Sequence, residues 1–219
     1  MTASKNAFSA TDRDAVYRAI FERRDMRHFL SDPVDEATMK RLLEAAHHAP
    51  SVGYMQPWRF VRIGAPERRA RLAELVEEER LATADALGAR GREFMALKVE
   101  GIRECPELWV MALTDHREAY VFGRRTMPDM DLASASCAIQ NMWLAARAEG
   151  LGLGWVSLFD PDKVGALIEA PSGSRVIAVL CIGHVEAFYS APMLEQCDWD
   201  RRRALESLIG EDRWPEADA

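Results

Sequence analysis

Four apolar stretches of strand length set the terms for any fold of this chain: WRFVRI (58 to 63), ELWVMALT (107 to 114), GWVSLF (154 to 159) and RVIAVLCIGHV (175 to 185). The connections between them are too long for hairpins and carry helical spacing instead. ELWVMALT has no polar face, which predicts a strand covered on both sides. A mainly non-sequential sheet with helices packed on it is therefore expected, and the fold class is α+β.

The connecting segments carry their own start and stop signals. TDRD predicts a helix over 11 to 24, with Thr11 as cap and Val16, Ala19 and Ile20 as its buried stripe. Asp35 opens a second helix with Met39, Leu42, Leu43 and Ala46 on one face, and Pro50 stops it. Pro66 opens a long charged helix, with more helix running to about Arg103. Residues 77 to 103 are polar enough to be an excursion from the core, suited to a lid. DLASASCAIQNMWLAARAEG predicts a helix with Leu132, Ala135, Ile139, Met142, Trp143 and Ala146 inward, ended by Gly150. A short helix at 161 to 169 follows the third strand, and the tail turns weakly helical at RRRALESLIG. No Gly/Ser- or Pro-rich linker divides the chain, so residues 1–219 read as one domain.

Several function classes are disfavoured at once. A net charge of −7 argues against general binding to nucleic acid or anionic membranes. The N-terminal MTASKNAFSATDRDAV has no apolar signal region, and VIAVLCIG is too short to span a bilayer. Cys105, Cys137, Cys181 and Cys197 are scattered, which suits reduced thiols and a cytoplasmic address. His28, His47, His48, His116 and His184 show no ligand spacing, so no metal is expected. GLGLG (150 to 154) has a helix before it and a strand after it, the reverse of a dinucleotide fingerprint. Ser157 lacks the glycine elbow of a hydrolase nucleophile and by itself would be a core serine.

RRDMRHF (23 to 29) stands out against this background. Arg23, Arg24 and Arg27 can fork onto a phosphate, and Asp25 sits among them. A carboxylate there weakens an anion site unless it acts on what the arginines hold. Surface arginines at a helix end are common, and these residues alone leave that bland reading open.

Together, RRDMR (23 to 27), APSVGYMQPW (49 to 58) and GLGLGW (150 to 155) resemble the nitroreductase-like flavoproteins, over roughly residues 12 to 214. Within them the likeness is nearer to one branch, the 5,6-dimethylbenzimidazole synthases. The features that carry it are aspartate at Asp25 where serine is usual, AAHHAPSVGYMQPW, LKVEGIRECP, GWVSLF and RRTMPDMDLAS. The chain departs from the pattern at Met127 and Ala133, where some members carry Asn and Tyr.

The resemblance implies a central mixed sheet flanked by helices, and an intertwined homodimer with FMN sites at its interface. It implies that reduced FMN is the substrate, fragmented with O2 to 5,6-dimethylbenzimidazole and erythrose 4-phosphate. NAD(P)H would enter only through a separate flavin reductase. Asp25 is then expected to be the catalytic base, kept ionised by nearby cations, with Ser157 hydrogen-bonding near the ring. Arg23, Arg24, Asp25, Met26, Arg27, Ser51, Gly53, Leu108, Ser157 and Arg202 are the expected flavin contacts. Two other readings stay open: an ordinary FMN-dependent NAD(P)H nitroreductase or flavin reductase, and a flavin-binding protein without catalysis.

Overall fold

A computed structural model describes residues 6–215, in two compact units that meet in sequence between Phe188 and Tyr189. The first unit runs α1 (Ala10–Glu22), α2 (Glu36–His47), β1 (Trp58–Arg62), α3 (Pro66–Ala86), α4 (Gly91–Met95), β2 (Glu107–Leu113), α5 (Met130–Ala148), β3 (Gly152–Val156), α6 (Pro161–Leu167) and β4 (Arg175–Gly183). Among its described residues, the second unit holds one short helix, α7 (Met193–Gln196), and a single 3-10 turn at Leu205–Leu208.

The sheet order is β1-β2-β4-β3, and every pair is antiparallel. Parallel pairing enters at an isolated bridge from Asp25 to Leu153, on the outer edge of β3. Helices cover both faces, which is why β2 needs apolar residues on each side. One core joins α2 and α5 to the sheet through Leu42, Ala46, Ile139, Met142, Met111 and Leu180. The other joins α3 and α6 to the opposite face through Leu72, Val76, Val164, Val110 and Val179. Along β4, Leu180 and Ile182 face the first core while Val179 and Cys181 face the second, as a pleated strand requires. The β2–β4 register slips between Met111 and Ala112, so Ile177 is bulged out of the pairing.

Local signals explain most boundaries. Asp35 accepts the Thr38 N–H at 2.8 Å and starts α2. Gly150, at φ 78°, ends α5 in the left-handed conformation that glycine tolerates. α3 starts at Pro66 as expected, but helix stops at Met95, and residues 96 to 106 return as loop. Phe94 of α4 is buried, as are Leu97 and Ile102 in this returning stretch. Among the described residues, no helix is long and apolar enough to cross a membrane.

Three further expectations change. Ser9, not Thr11, caps α1, accepting the Asp12 N–H at 3.2 Å, because the helix begins one residue earlier. The stripe on α1 is not buried: Val16 is 48% and Ile20 40% exposed, and no residue of the helix is buried. Among the described residues, no layer covers its apolar face. The third strand ends at Val156, so Ser157 lies beyond the strand and is exposed.

Candidate functional site

α1 stops at Arg23, whose backbone turns to φ −60°, ψ 141° and sends the chain out in extended form. The next residues run along the free edge of β3, where Met26 N–H donates to Leu153 O at 3.0 Å. The approach is close. A Cβ on Gly154 would lie 2.2 Å from Met26 O and 2.6 Å from an Arg27 guanidinium nitrogen. One on Gly152 would meet the Met26 side chain at 3.1 Å. The glycines of GLGLG therefore make room for RRDMR, and the two motifs are halves of one arrangement.

Asp25 is held at both oxygens. Oδ1 accepts the Trp155 N–H at 3.0 Å, and Oδ2 accepts Arg27 Nη2 at 2.6 Å. Arg27 Nη2 also donates to Trp155 O at 3.0 Å, so Arg27 clamps the carboxylate to the strand. Asp25 still keeps 42% of its side-chain surface open, whereas Arg27 is almost wholly enclosed. Burial raises the Asp25 pKa above its ordinary value, outweighing the opposing pull of Arg27, the Trp155 N–H and Arg23. The cations favour the ionised form as expected, but burial is the larger effect on this carboxylate.

The three arginines also divide rather than converge. Arg24 Nη1 donates to Phe21 O and Arg23 O, both at 2.8 Å, closing the carbonyl end of α1. Arg27 serves Asp25. Arg23 is half-buried, with its guanidinium carbon 4.6 Å from the centre of the Trp143 ring. The picture of three guanidinium groups on one anion therefore narrows: Arg24 closes the helix, Arg27 serves Asp25, and Arg23 lies over the Trp143 ring while its charge also lowers the Asp25 pKa.

A second group of residues lies on the loop 51 to 56, where Gly53, Tyr54 and Gln56 all have φ near 50°. Ser134 on α5 accepts the Val52 N–H at 3.0 Å, and Ser51 Oγ accepts the Gln56 N–H at 3.1 Å. Gly53 and Tyr54 are left exposed. The loop after β2 packs on this one, with Gly123 so close that a Cβ would lie 2.5 Å from a Val52 methyl. Buried Asp131 anchors that second loop, accepting Arg117 Nε at 2.8 Å and Arg124 Nη2 at 3.0 Å. Sequence reasoning missed Asp131, Arg117 and Arg124, and also Trp143 and the Trp155 backbone. The phrase RRTMPDMD contained the first signal, but the partner across the loop was not visible.

The other expected residues fall as follows. Met26 is buried against β3. Ser157 follows Trp155 by two positions on the same extended stretch and is exposed. Leu108 is 1% exposed inside the α3/α6 core, so its side chain is not presented to a ligand. Arg202 is an exposed residue of the second unit. The excursion does reach the site: Gly101 sits so near Phe29 and Arg27 O that a Cβ would fall 2.6 Å and 2.9 Å from them.

Comparison with known proteins bears on this arrangement. The nitroreductase family model matches residues 20–184. A 5,6-dimethylbenzimidazole synthase of Rhodospirillum rubrum is 41% identical, across 90% of this chain and 94% of that protein. One from Rhodobacter capsulatus is 39% identical, across 91% and 97%. Among solved structures, iodotyrosine deiodinase bound to FMN and 3-iodo-L-tyrosine superposes with a TM-score of 0.71 at 19% identity, covering 90% of this chain and 98% of that one. That last likeness concerns the fold. The chain belongs to the nitroreductase family and, within it, to the 5,6-dimethylbenzimidazole synthases.

Proposed function

We propose that this chain fragments reduced FMN in the presence of O2, yielding 5,6-dimethylbenzimidazole and erythrose 4-phosphate, with Asp25 as the proton acceptor. The observation that carries the proposal is the Asp25 carboxylate, fixed at both oxygens yet 42% open. The names of the relatives in Rhodospirillum and Rhodobacter support the same reaction.

The residues present fit a flavin phosphate ester. Arg23 offers a planar cation for the phosphate. Ser157 offers an exposed hydroxyl, and Ser51 and Gly53 stand on a loop whose tip is open. Reduced flavin would supply the electrons that O2 takes up, and is itself the molecule broken down. What the chain adds is position and a base. Arg27 and the Trp155 N–H orient Asp25, while burial lifts its pKa toward the operating pH, where a carboxylate is a stronger proton acceptor. A neutral serine at this position could hydrogen-bond but could not take a proton.

The pH profile follows with a defined sign. Below its pKa, Asp25 carries a proton and cannot accept another, so activity rises with pH through that value. Single-turnover rates with reduced FMN should show an acid limb above the ordinary aspartate value of 3.8. A limb at or below 3.8 would remove Asp25 from the base role.

Electrons would come from a separate flavin reductase. The protein alone should therefore oxidise NADPH slowly in the presence of FMN, and FMN loss should begin when an unrelated reductase is added. Rapid NADPH oxidation by the protein alone, with flavin intact, would instead mark an ordinary nitroreductase.

The exposed face of α1 supports a homodimer. Val16, Tyr17, Ile20 and Phe21 present apolar surface left uncovered by the described residues, the kind of patch that marks an interface. Sedimentation should give twice the chain mass, and the double variant I20E/F21E should give the monomer. An unchanged mass in the variant would place the interface elsewhere.

A further inference from the structure

Trp143 lies on α5, almost fully enclosed, and makes two contacts with the segment that follows α1. Its ring lies beneath the Arg23 guanidinium, at 4.6 Å from carbon to ring centre. Its indole Nε1–H donates to Arg24 O at 3.1 Å. One turn further along α5, Arg147 Nη2 pairs with Glu22 at 2.5 Å. α5 thus braces the end of α1 just where the chain leaves the helix and becomes the extended segment that carries Asp25.

We propose that Trp143 is a positioning residue that holds Arg23 flat for the phosphate of the flavin ligand. The inference rests on the reading of Arg23 as a phosphate contact. A long arginine side chain samples many rotamers, and ordering it on binding costs affinity. An aromatic face beneath the guanidinium restricts that sampling beforehand and leaves the outward N–H edges directed away from the ring. The indole N–H adds a second restraint, fixing the backbone between Arg23 and Asp25. Arginine suits this arrangement because its planar group can stack and fork at once, which an ammonium cannot.

The test compares two ligands that differ by the phosphate alone, FMN and riboflavin. Dissociation constants of both would be measured by flavin fluorescence for the wild type, Trp143→Met, Trp143→Phe, Arg23→Gln and Arg23→Lys. Trp143→Met keeps much of the volume without a ring face, and should weaken FMN by about 3- to 10-fold, the range of a partly desolvated cation–π contact. Riboflavin affinity should stay unchanged. Trp143→Phe keeps a ring and should remain close to wild type. Arg23→Gln should lower the FMN-to-riboflavin preference at least as far, and the double variant W143M/R23Q should lose little more than R23Q.

Equal loss of both ligands in W143M would show a structural role and overturn the inference, while the phosphate reading of Arg23 would stand if R23Q still lost preference. An unchanged preference in R23Q would overturn both. If the Trp143 variants do not fold, Arg23→Lys decides. It keeps the charge but not the stacking plane, and must lose preference as Arg23→Gln does; full retention would sink the proposal.

Discussion

Asp25→Asn is expected to lower the rate of 5,6-dimethylbenzimidazole formation by about 10²- to 10⁴-fold, the range for removing a positioned base. FMN affinity should hold or improve, because the lost charge opposed the phosphate. The substitution is nearly isosteric, and the amide oxygen can still accept from Arg27 or from the Trp155 N–H, both now within reach of the carboxylate. The backbone contact from Met26 to Leu153 does not involve this side chain and should keep the segment on the edge of β3. Product chromatography beside a binding titration separates the outcomes. Retained binding with lost product makes Asp25 the base. Binding lost in parallel with product would make it a structural member of the clamp.

The second large effect concerns Gly154. Alanine there places a methyl 2.2 Å from Met26 O, a backbone atom that can move only if the RRDMR segment lifts from β3. Overpacking of this kind costs about 1–3 kcal/mol, and more where backbone must shift. G154A is expected to melt about 5–10 °C lower than wild type, at roughly 2–4 °C per kcal/mol for a chain of this size. It should also lose FMN binding, because Arg23, Asp25 and Arg27 all ride on the displaced segment. Gly165 provides the control: it lies within α6, and a Cβ there meets a Val176 methyl at an ordinary 4.0 Å. G165A should be neutral or stabilising by up to about 1 kcal/mol. Thermal melting and flavin titration of the two variants check this. Normal flavin binding by G154A would show that the close approach does not set the site.

Periodicity and punctuation carried the strands and most helices. The ELWVMALT run, the spacing of Met39, Leu42 and Ala46, and the glycine after α5 are local statements of burial and chain reversal, and local signals survive in a sequence. The stripe on α1 misled because periodicity reports that a face is apolar, not what covers it; here none of the described residues does. The strand order and the edge position of Asp25 depend on pairings made far along the chain. GLGLG accordingly read as a turn signal, and only the fold shows that it admits Met26.

The site was legible in its residues more than in its roles. Asp25 and Arg23 were singled out, but a one-dimensional reading sees neighbouring charges and not the protein mass around them. It therefore named the cations that pull the Asp25 pKa down and not the burial that outweighs them. It also directed Arg27 to a ligand, when that guanidinium is closed between Asp25 and Trp155 O. Leu108, which the family resemblance suggested as a contact, belongs to the core. The Asp131 clasp on Arg117 and Arg124 joins residues of one loop whose return path no local pattern specifies.

The central claim is that the flavin itself is consumed. The most direct measurement mixes the protein with FMN, an independent flavin reductase and NADPH in air, and follows the mixture by chromatography with mass detection. The account requires FMN to disappear as 5,6-dimethylbenzimidazole accumulates in equal amount, with neither change when the protein or O2 is omitted. FMN recovered intact after many NADPH equivalents, with no benzimidazole formed, would contradict it.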